Sequence, residues 1–337
     1  MRIYDVILDS EKAAVVEFLD RFNLEYEDDI DDTIVLKDGD TIYATASTAH
    51  NVIKCVAVDE NLRGQNLLGT LITEIIKRLN AKGIDHYFVY TLDEHVERFR
   101  ALGFKPIVTT MTLAVLEGGG SITKRLQTLV KTYQLSDQPK AAVVVNANPM
   151  TLGHLHLIKT AASMYDRLLV FVVSEDRSVF PFDARFSIVK KACEPYENIT
   201  VLPTLDYLVS YASFPKYFQK EESKLKEEHA LIDVLIYKQY YTKIFNIVKR
   251  FVGEEPYSPM TQIYNETMRK HLTAHLEILP RLTKENQAVS ASHVRTLLKT
   301  QSLEAVKPYV PNATLAFLQS KEGKRIIQAL KDYERRH

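Results

Sequence analysis

Two short stretches carry residue types that handle phosphate. The first is Val143–Ala162, VVVNANPMTLGHLHLIKTAA. An apolar run ends there in a turn containing Pro149, and a helical pattern restarts around Thr151, Gly153 and His154. The unpaired N–H groups at the start of a helix, set at the end of a buried strand, make an anion site. Gly153 lets a phosphate approach the backbone closely, and Thr151 offers a hydroxyl at the cap. The His154 imidazole can donate to a phosphoryl oxygen that gains charge during transfer. Taken alone, T-x-G-H is more often an ordinary N-cap followed by a core imidazole bonded to a carbonyl.

The second stretch is Val289–Lys299, VSASHVRTLLK. Ser290 or Ser292 can cap a helix whose Val294, Leu297 and Leu298 keep helical spacing. Arg295 falls in the first turn, where the helix dipole disfavours a cation by about 0.3–1 kcal/mol. Such an arginine is solvated, paired with an acid, or holds a triphosphate together with the helix N-terminus. That last contact is charge-assisted and worth more than the dipole cost.

These residues need a scaffold, and the chain is long enough to build two. At 337 residues it suggests two domains with separate cores. Lys plus Arg and Asp plus Glu both number 43, so no global field steers it to nucleic acid or anionic lipid. Cys55 and Cys193 lack a C-x-x-C partner and read as reduced core residues. The start, MRIYDVILDSEKAAVVEF, places Asp5, Asp9, Glu11 and Lys12 where a signal peptide needs an apolar core. No window reaches the length of a membrane span. The expectation is a cytoplasmic protein without nucleic-acid or membrane partners.

The glycine run at Glu117–Ser121, EGGGS, is the expected boundary, which divides the chain into 1–117, a linker and connecting helix over 118–140, and 141–337. In the first part NVIKCVAV and His86–Thr91 read as strands, and Leu67–Leu79 as a helix with one apolar face. A short helix ends in FRALGF with Gly103 as its cap. In the second part Ala141–Asn146 and Arg167–Val173 read as strands, and Gly153–Tyr165 and Phe182–Cys193 as helices. NITVLP and ALIDVLIY add apolar runs. Strands alternating with helices imply an α/β fold with a mostly parallel sheet, whose ligands bind off the carboxyl ends of the strands. Asn146–His154 and Ser174–Arg177 fall there. The acidic run Glu25–Asp32, EYEDDIDD, is most simply a solvated surface.

In this order and at this separation the two phosphate stretches resemble the signature of the nucleotidyltransferase superfamily, with its HxGH and ISSTxxR motifs. Thr151 stands where many members have a first histidine, as in the phosphopantetheine adenylyltransferase branch. Five stretches together look like citrate lyase ligase: NANPMTLGH, EDRSVFPFDAR (Glu175–Arg185), FPKYFQKEES (Phe214–Ser223), RFVGEEP (Arg250–Pro256) and VSASHVR. The resemblance covers the whole chain and is densest from Val143 to Lys299. It implies a Rossmann-like nucleotidyltransferase domain that activates acetate with ATP as acetyl-adenylate, releasing pyrophosphate. The acetyl group would then pass to the thiol of the dephospho-coenzyme-A-type prosthetic group on the acyl carrier subunit of citrate lyase, releasing AMP.

The roles implied follow the motifs. His154 takes the α-phosphate, with Thr151 and the Gly153 backbone beside it. Ser292 and Arg295 take the β and γ phosphates, and Ser290 belongs to the same nucleotide-binding set. Asn146 and Asn148 orient nucleotide or acetate, and Arg185 is a further phosphate residue whose other reading is a surface ion pair. Glu175 and Asp176 are available to hold water around Mg²⁺, without a dedicated protein metal cage. In the first part, VAVDENLRGQNLLGTLI followed by FRALGF resembles the acetyltransferase fold that binds coenzyme A on a loop before a helix. Asn66 and Leu68 replace small residues of that pattern and Phe99 replaces a frequent tyrosine, so the implied role is docking of the coenzyme-A-like arm through Arg63 and Gly64. A purely structural domain is the other reading. Two further readings of the whole chain stay open. One is a cofactor-synthesising adenylyltransferase acting on a pantetheine or nicotinamide phosphate. The other is an acetyltransferase-like protein that binds an acyl carrier.

Overall fold

Short apolar runs between Arg2 and Gly118 build a seven-stranded sheet. The computed structural model describes residues 1–62, 66–175, 178–208, 222–254, 259–284 and 287–333. They gather into two compact units. One is built from Met1–Arg125 with Phe214–Ile232, the other from Leu126–Ser213 with Asp233–His337. In the first unit the strands are β1 (Arg2–Asp5), β2 (Asp32–Asp38), β3 (Thr41–Ala49), β4 (Val52–Val58), β5 (Tyr87–Leu92), β6 (Lys105–Thr109) and β7 (Leu113–Gly118). They lie in the order β1-β2-β3-β4-β5-β7-β6. All neighbours run antiparallel except β4 and β5, which are parallel and share only the pairs Val52–Phe88 and Ile53–Val89.

Within Met1–Arg125 the strands are joined by α1 (Asp9–Asp20), α2 (Leu67–Ala81) and α3 (Val96–Ala101). On α2, Leu71, Ile72, Ile75 and Leu79 bury one face against Ile34, Ala44 and Val89. Gly103 ends α3 with φ +91°, the left-handed conformation that glycine adopts at little cost. Beyond their two shared pairs β4 and β5 part, and a cavity of about 690 Å³ opens beside them, lined by Val56, Val58, Leu68, Tyr90, His95 and Phe99.

Two local expectations change. The acidic run works as a cage: Lys54, 2% exposed, is held by Glu27 and by Asp29 at 2.7 Å. Asp31 accepts the backbone N–H of His50 at 2.5 Å. A buried ammonium without such partners would be costly, which explains Glu27 and Asp29. The glycine run is packed rather than loose. A Cβ on Gly118 would sit 2.2 Å from the Tyr87 ring, and one on Gly119, where φ is +72°, 1.9 Å from the Asp85 carbonyl oxygen.

The second unit is wound around a parallel sheet. After α4 (Ile122–Thr132), which leads into it, come β8 (Lys140–Val145), α5 (Leu152–Met164), β9 (Leu168–Val172), α6 (Phe182–Cys193) and β10 (Ile199–Pro203). Then follow α7 (Glu222–Ile236), which belongs to the first unit up to Ile232, a π-helical turn at Tyr237–Tyr241, α8 (Thr242–Ile244), β11 (Ile247–Gly253), α9 (Pro259–Leu272) and β12 (Leu276–Leu279). The ALIDVLIY run therefore lies in α7 and the turn after it, a helical use of apolar residues. The order β10-β9-β8-β11-β12 is parallel throughout, so the winding reverses between β8 and β11. Val143, Val170, Val172 and Phe251 bury one face against Ile158 and Ala161 of α5 and Ile188 of α6. Phe171, alternate in its strand, meets Tyr241 and Phe245 instead.

The chain ends with the short pair β13 (Thr283–Lys284) and β14 (Gln287–Ala288), then α10 (Ala291–Thr300), α11 (Leu303–Val306), α12 (Asn312–Gln319) and α13 (Lys321–Tyr333). A separate apolar cluster of Phe180, Val294, Leu298, Val306, Leu318 and Leu330 fixes α10 in this group. Among the described residues no helix is long and apolar enough to cross a membrane. Both cysteines are buried and free, and burial pushes each thiol up to about 12, so neither is a ready nucleophile.

Candidate active site

In a doubly wound sheet the ligand crevice lies at the carboxyl ends of the strands, where the winding reverses. Here that point is the end of β8, and Asn146–His154 begin there. Thr151 caps α5: its Oγ1 accepts the N–H of His154 at 3.4 Å and lies 2.9 Å from His154 Nδ1. The backbone N–H of Thr151 donates to the same Nδ1 at 3.0 Å. A backbone amide can only donate, so Nδ1 is the acceptor and Nε2 carries the proton in the neutral ring. Burial, reinforced by the charge of Arg281, pulls His154 down to about 4. The ring is thus a neutral donor held at the mouth of a helix. Thr151, 1% exposed, spends its hydroxyl on orienting that ring.

Gly153 has a structural reason beyond close approach by a ligand. A Cβ there would lie 2.7 Å from the carbonyl oxygen of Val289, the residue that leads into α10. The T-x-G-H turn and the second phosphate stretch are therefore in contact. Arg295 joins them again, donating from Nη1 to the Asn148 carbonyl at 2.6 Å and from Nη2 to Ser292 Oγ at 3.2 Å. Of the two serines, Ser290 is the cap: its Oγ accepts the N–H of His293 at 3.1 Å, which commits an oxygen expected for nucleotide binding. Ser292 is exposed.

Arg185 is neither a surface ion pair nor open to solvent: it is 0% exposed. It donates from Nε to the Phe180 carbonyl at 2.8 Å and from Nη1 to the Val173 carbonyl at 2.7 Å. The same Nη1 reaches both the carbonyl and the Oδ1 of Asn146 at 3.0 Å, and Nη2 reaches the Glu175 carbonyl. Asn148 Oδ1 accepts the N–H of Phe180 at 3.0 Å. Thr314 Oγ1 holds the Met150 carbonyl at 2.8 Å from α12. The turn is pinned from three elements.

Arg63, Gly64, Asp176 and Arg177 lie outside the described residues, as does most of Phe214–Ser223. Among the described residues, no group of three His, Cys, Asp or Glu side chains is arranged to hold a metal ion. Sequence reasoning missed Arg281, whose charge acts on His154. Its only signal was a basic residue just past a strand end, in LPRL.

A doubly wound sheet carrying a polarised imidazole and an arginine-bearing second helix is a nucleotidyltransferase-type unit. The family description "Citrate lyase ligase C-terminal domain" matches residues 140–318. The citrate (pro-3S)-lyase ligase of Escherichia coli (strain K12) is 34% identical over 317 residues, spanning 91% of this chain and 90% of that protein. The ligase of the same name from Klebsiella pneumoniae is 34% identical over 315 residues, spanning 91% and 92%. That of Haemophilus influenzae is 31% identical over 330 residues, spanning 95% and 98%. The chain belongs to the citrate lyase ligase family.

Two outcomes follow from the geometry. Gly153→Ala keeps an allowed helical backbone but must displace the Val289 carbonyl. It should cost about 1–3 kcal/mol in urea unfolding, as overpacking does. For His154 the folded value of about 4 lies below the ordinary 6.5, so the unfolded chain binds the extra proton between them. Stability should be fully present above about pH 6.5 and fall towards pH 4. His154→Gln, followed by thermal unfolding across that window, should lose less stability than the parent on acidification.

Proposed function

We propose that the chain activates acetate with ATP and transfers the acetyl group to the thiol of the dephospho-coenzyme-A-type prosthetic group on the citrate lyase acyl carrier subunit. In the first step an acetate oxygen attacks the α-phosphorus. The bond from that phosphorus to the bridging oxygen breaks, and pyrophosphate leaves. In the second step the thiolate attacks the acetyl carbon, the carbon–oxygen bond breaks, and AMP leaves. The observation that carries the reading is the direct tie between the two phosphate stretches, through Gly153 against Val289 and Arg295 on Asn148.

His154, with its proton on Nε2, donates to the α-phosphate as charge gathers there. A neutral donor suits this work, because it gives up no proton to the product. Thr151 holds the ring, and the open N–H groups of the α5 start lie beside it. Ser292 and Arg295 take the β and γ phosphates, with the guanidinium already steered by its bond to Asn148. Mg²⁺ enters with the nucleotide as MgATP, held by phosphate oxygens and water. Buried, unpaired thiols agree with work in the cytoplasm.

For residues 1–117 we propose an acetyltransferase-like docking domain, with 118–140 connecting it to a nucleotidyltransferase domain over 141–337. The cavity beside the parted strands β4 and β5 suits an extended amide-containing arm, since among the described residues the two strands share no register pair beyond Ile53 and Val89. Phe99 stands in its wall and offers no acid–base group.

Trapping with hydroxylamine tests the first step. Acetate, MgATP and the enzyme alone should yield acetyl-hydroxamate and AMP in equal amounts. His154→Asn should cut that rate by about 10²–10³ while the fold is kept, the effect of losing one preorganised donor. Wild-type enzyme that gives no hydroxamate, and exchanges labelled pyrophosphate into ATP only when a phosphorylated cofactor precursor is added, would favour the adenylyltransferase alternative.

A further inference from the structure

Arg185 is a full positive charge with no exposed surface, on the first turns of α6. Evolution could fill such a place with an apolar side chain at no desolvation cost. Its described bonds reach the ends of two neighbouring strands, at Asn146 and Val173, and the turn before its own helix, at Phe180. One bond is different in kind. Nη1 donates to the side-chain Oδ1 of Asn146, 3.0 Å away, and Ser178 Oγ donates to that oxygen at 3.2 Å.

A guanidinium only donates, so it decides which way the Asn146 amide faces. The oxygen is turned inward and the NH₂ is left facing the other way, on an exposed residue at the end of the central strand. Asn148 is set in the same sense, because the N–H of Phe180 also only donates and takes its Oδ1. His154, a few residues on, has its acceptor nitrogen turned inward to Thr151 and its N–H left over. Three side chains of one turn thus have their acceptors satisfied by the protein, and among the described residues their donors have no hydrogen-bond partner. Such a row matches a ligand made of oxygens that only accept.

We propose that Arg185 is a positioning residue that locks the Asn146 amide, making Asn146 Nδ2 a preset donor to an anionic oxygen of the substrates. The inference rests on the nucleotide-activating reading of this site. The shared chemistry is an oxyanion, carried either by the phosphates of ATP or by the carboxylate of the acid.

Asn146→Asp is the informative change. A carboxylate keeps acceptors for Arg185 and strengthens that bond, so the melting temperature should hold or rise. The NH₂ is lost and a negative charge takes its place. With phosphate as the partner, ATP affinity by calorimetry should fall at least about tenfold. With the carboxylate as the partner, ATP affinity should hold while the KM for acetate rises by a similar factor. Arg185→Lys retains the charge but cannot span these acceptors. Its effect on kcat/KM in the parent should largely vanish in the Asn146→Asp background, since Arg185 acts through Asn146. A folded Asn146→Asp enzyme with parental ATP affinity and parental KM for acetate overturns the proposal. So does a loss from Arg185→Lys that is equal in both backgrounds, the mark of a merely structural arginine. A wild-type chain that binds no ATP overturns the nucleotide reading, and this inference with it.

Discussion

Parallel strands end in carbonyl groups that have no ladder left to satisfy them, and those ends are where this fold must bind its ligands. The second unit meets the constraint with arginine. Arg185 takes the carbonyls of Asn146, Val173 and Glu175, and Arg295 takes that of Asn148. Unpaired buried carbonyls would otherwise carry a desolvation cost of roughly 1–3 kcal/mol each. Answering them from side chains fixes the loop without closing the crevice over it. The helix start at Thr151 and the ring of His154 inherit their position from that arrangement.

The same economy links two parts of the chain far apart in sequence. Gly153 leaves room for the carbonyl of Val289, and Arg295 returns to the turn before α5. A shift of either helix would therefore move donors on the other. The adenylyl transfer proposed for this site asks for positioning and charge stabilisation more than covalent help, and this rigidity would serve it. The neutral state of His154 belongs to the same picture. Burial and the nearby Arg281 disfavour a second proton on the ring.

Much of this was legible in the sequence. Helical spacing alone placed Phe182–Cys193 to the residue, because local periodicity is set by which face must be buried. Strands such as Ala141–Asn146 came within a residue of the observed Lys140–Val145. The two stretches expected to handle phosphate were visible as helix starts. What sequence could not supply were relations set by distant partners. The need for Gly153 depends on Val289, and the burial of Arg185 on the meeting of β8, β9 and α6. The acidic run looked solvated because Lys54, its internal partner, lies on a strand some 25 residues later, as the Asp29 pair shows. ALIDVLIY, apolar but for Asp233, gave no period to separate helix from strand.

The central claim is that the second unit forms an acetyl-adenylate reversibly, before any thiol is involved. Exchange of labelled pyrophosphate into ATP, measured without the carrier subunit, tests it most directly. The account predicts exchange that requires acetate and Mg²⁺ and that collapses when His154 is replaced by Asn. Exchange indifferent to acetate, or absent from an enzyme that still acetylates the carrier, would contradict it.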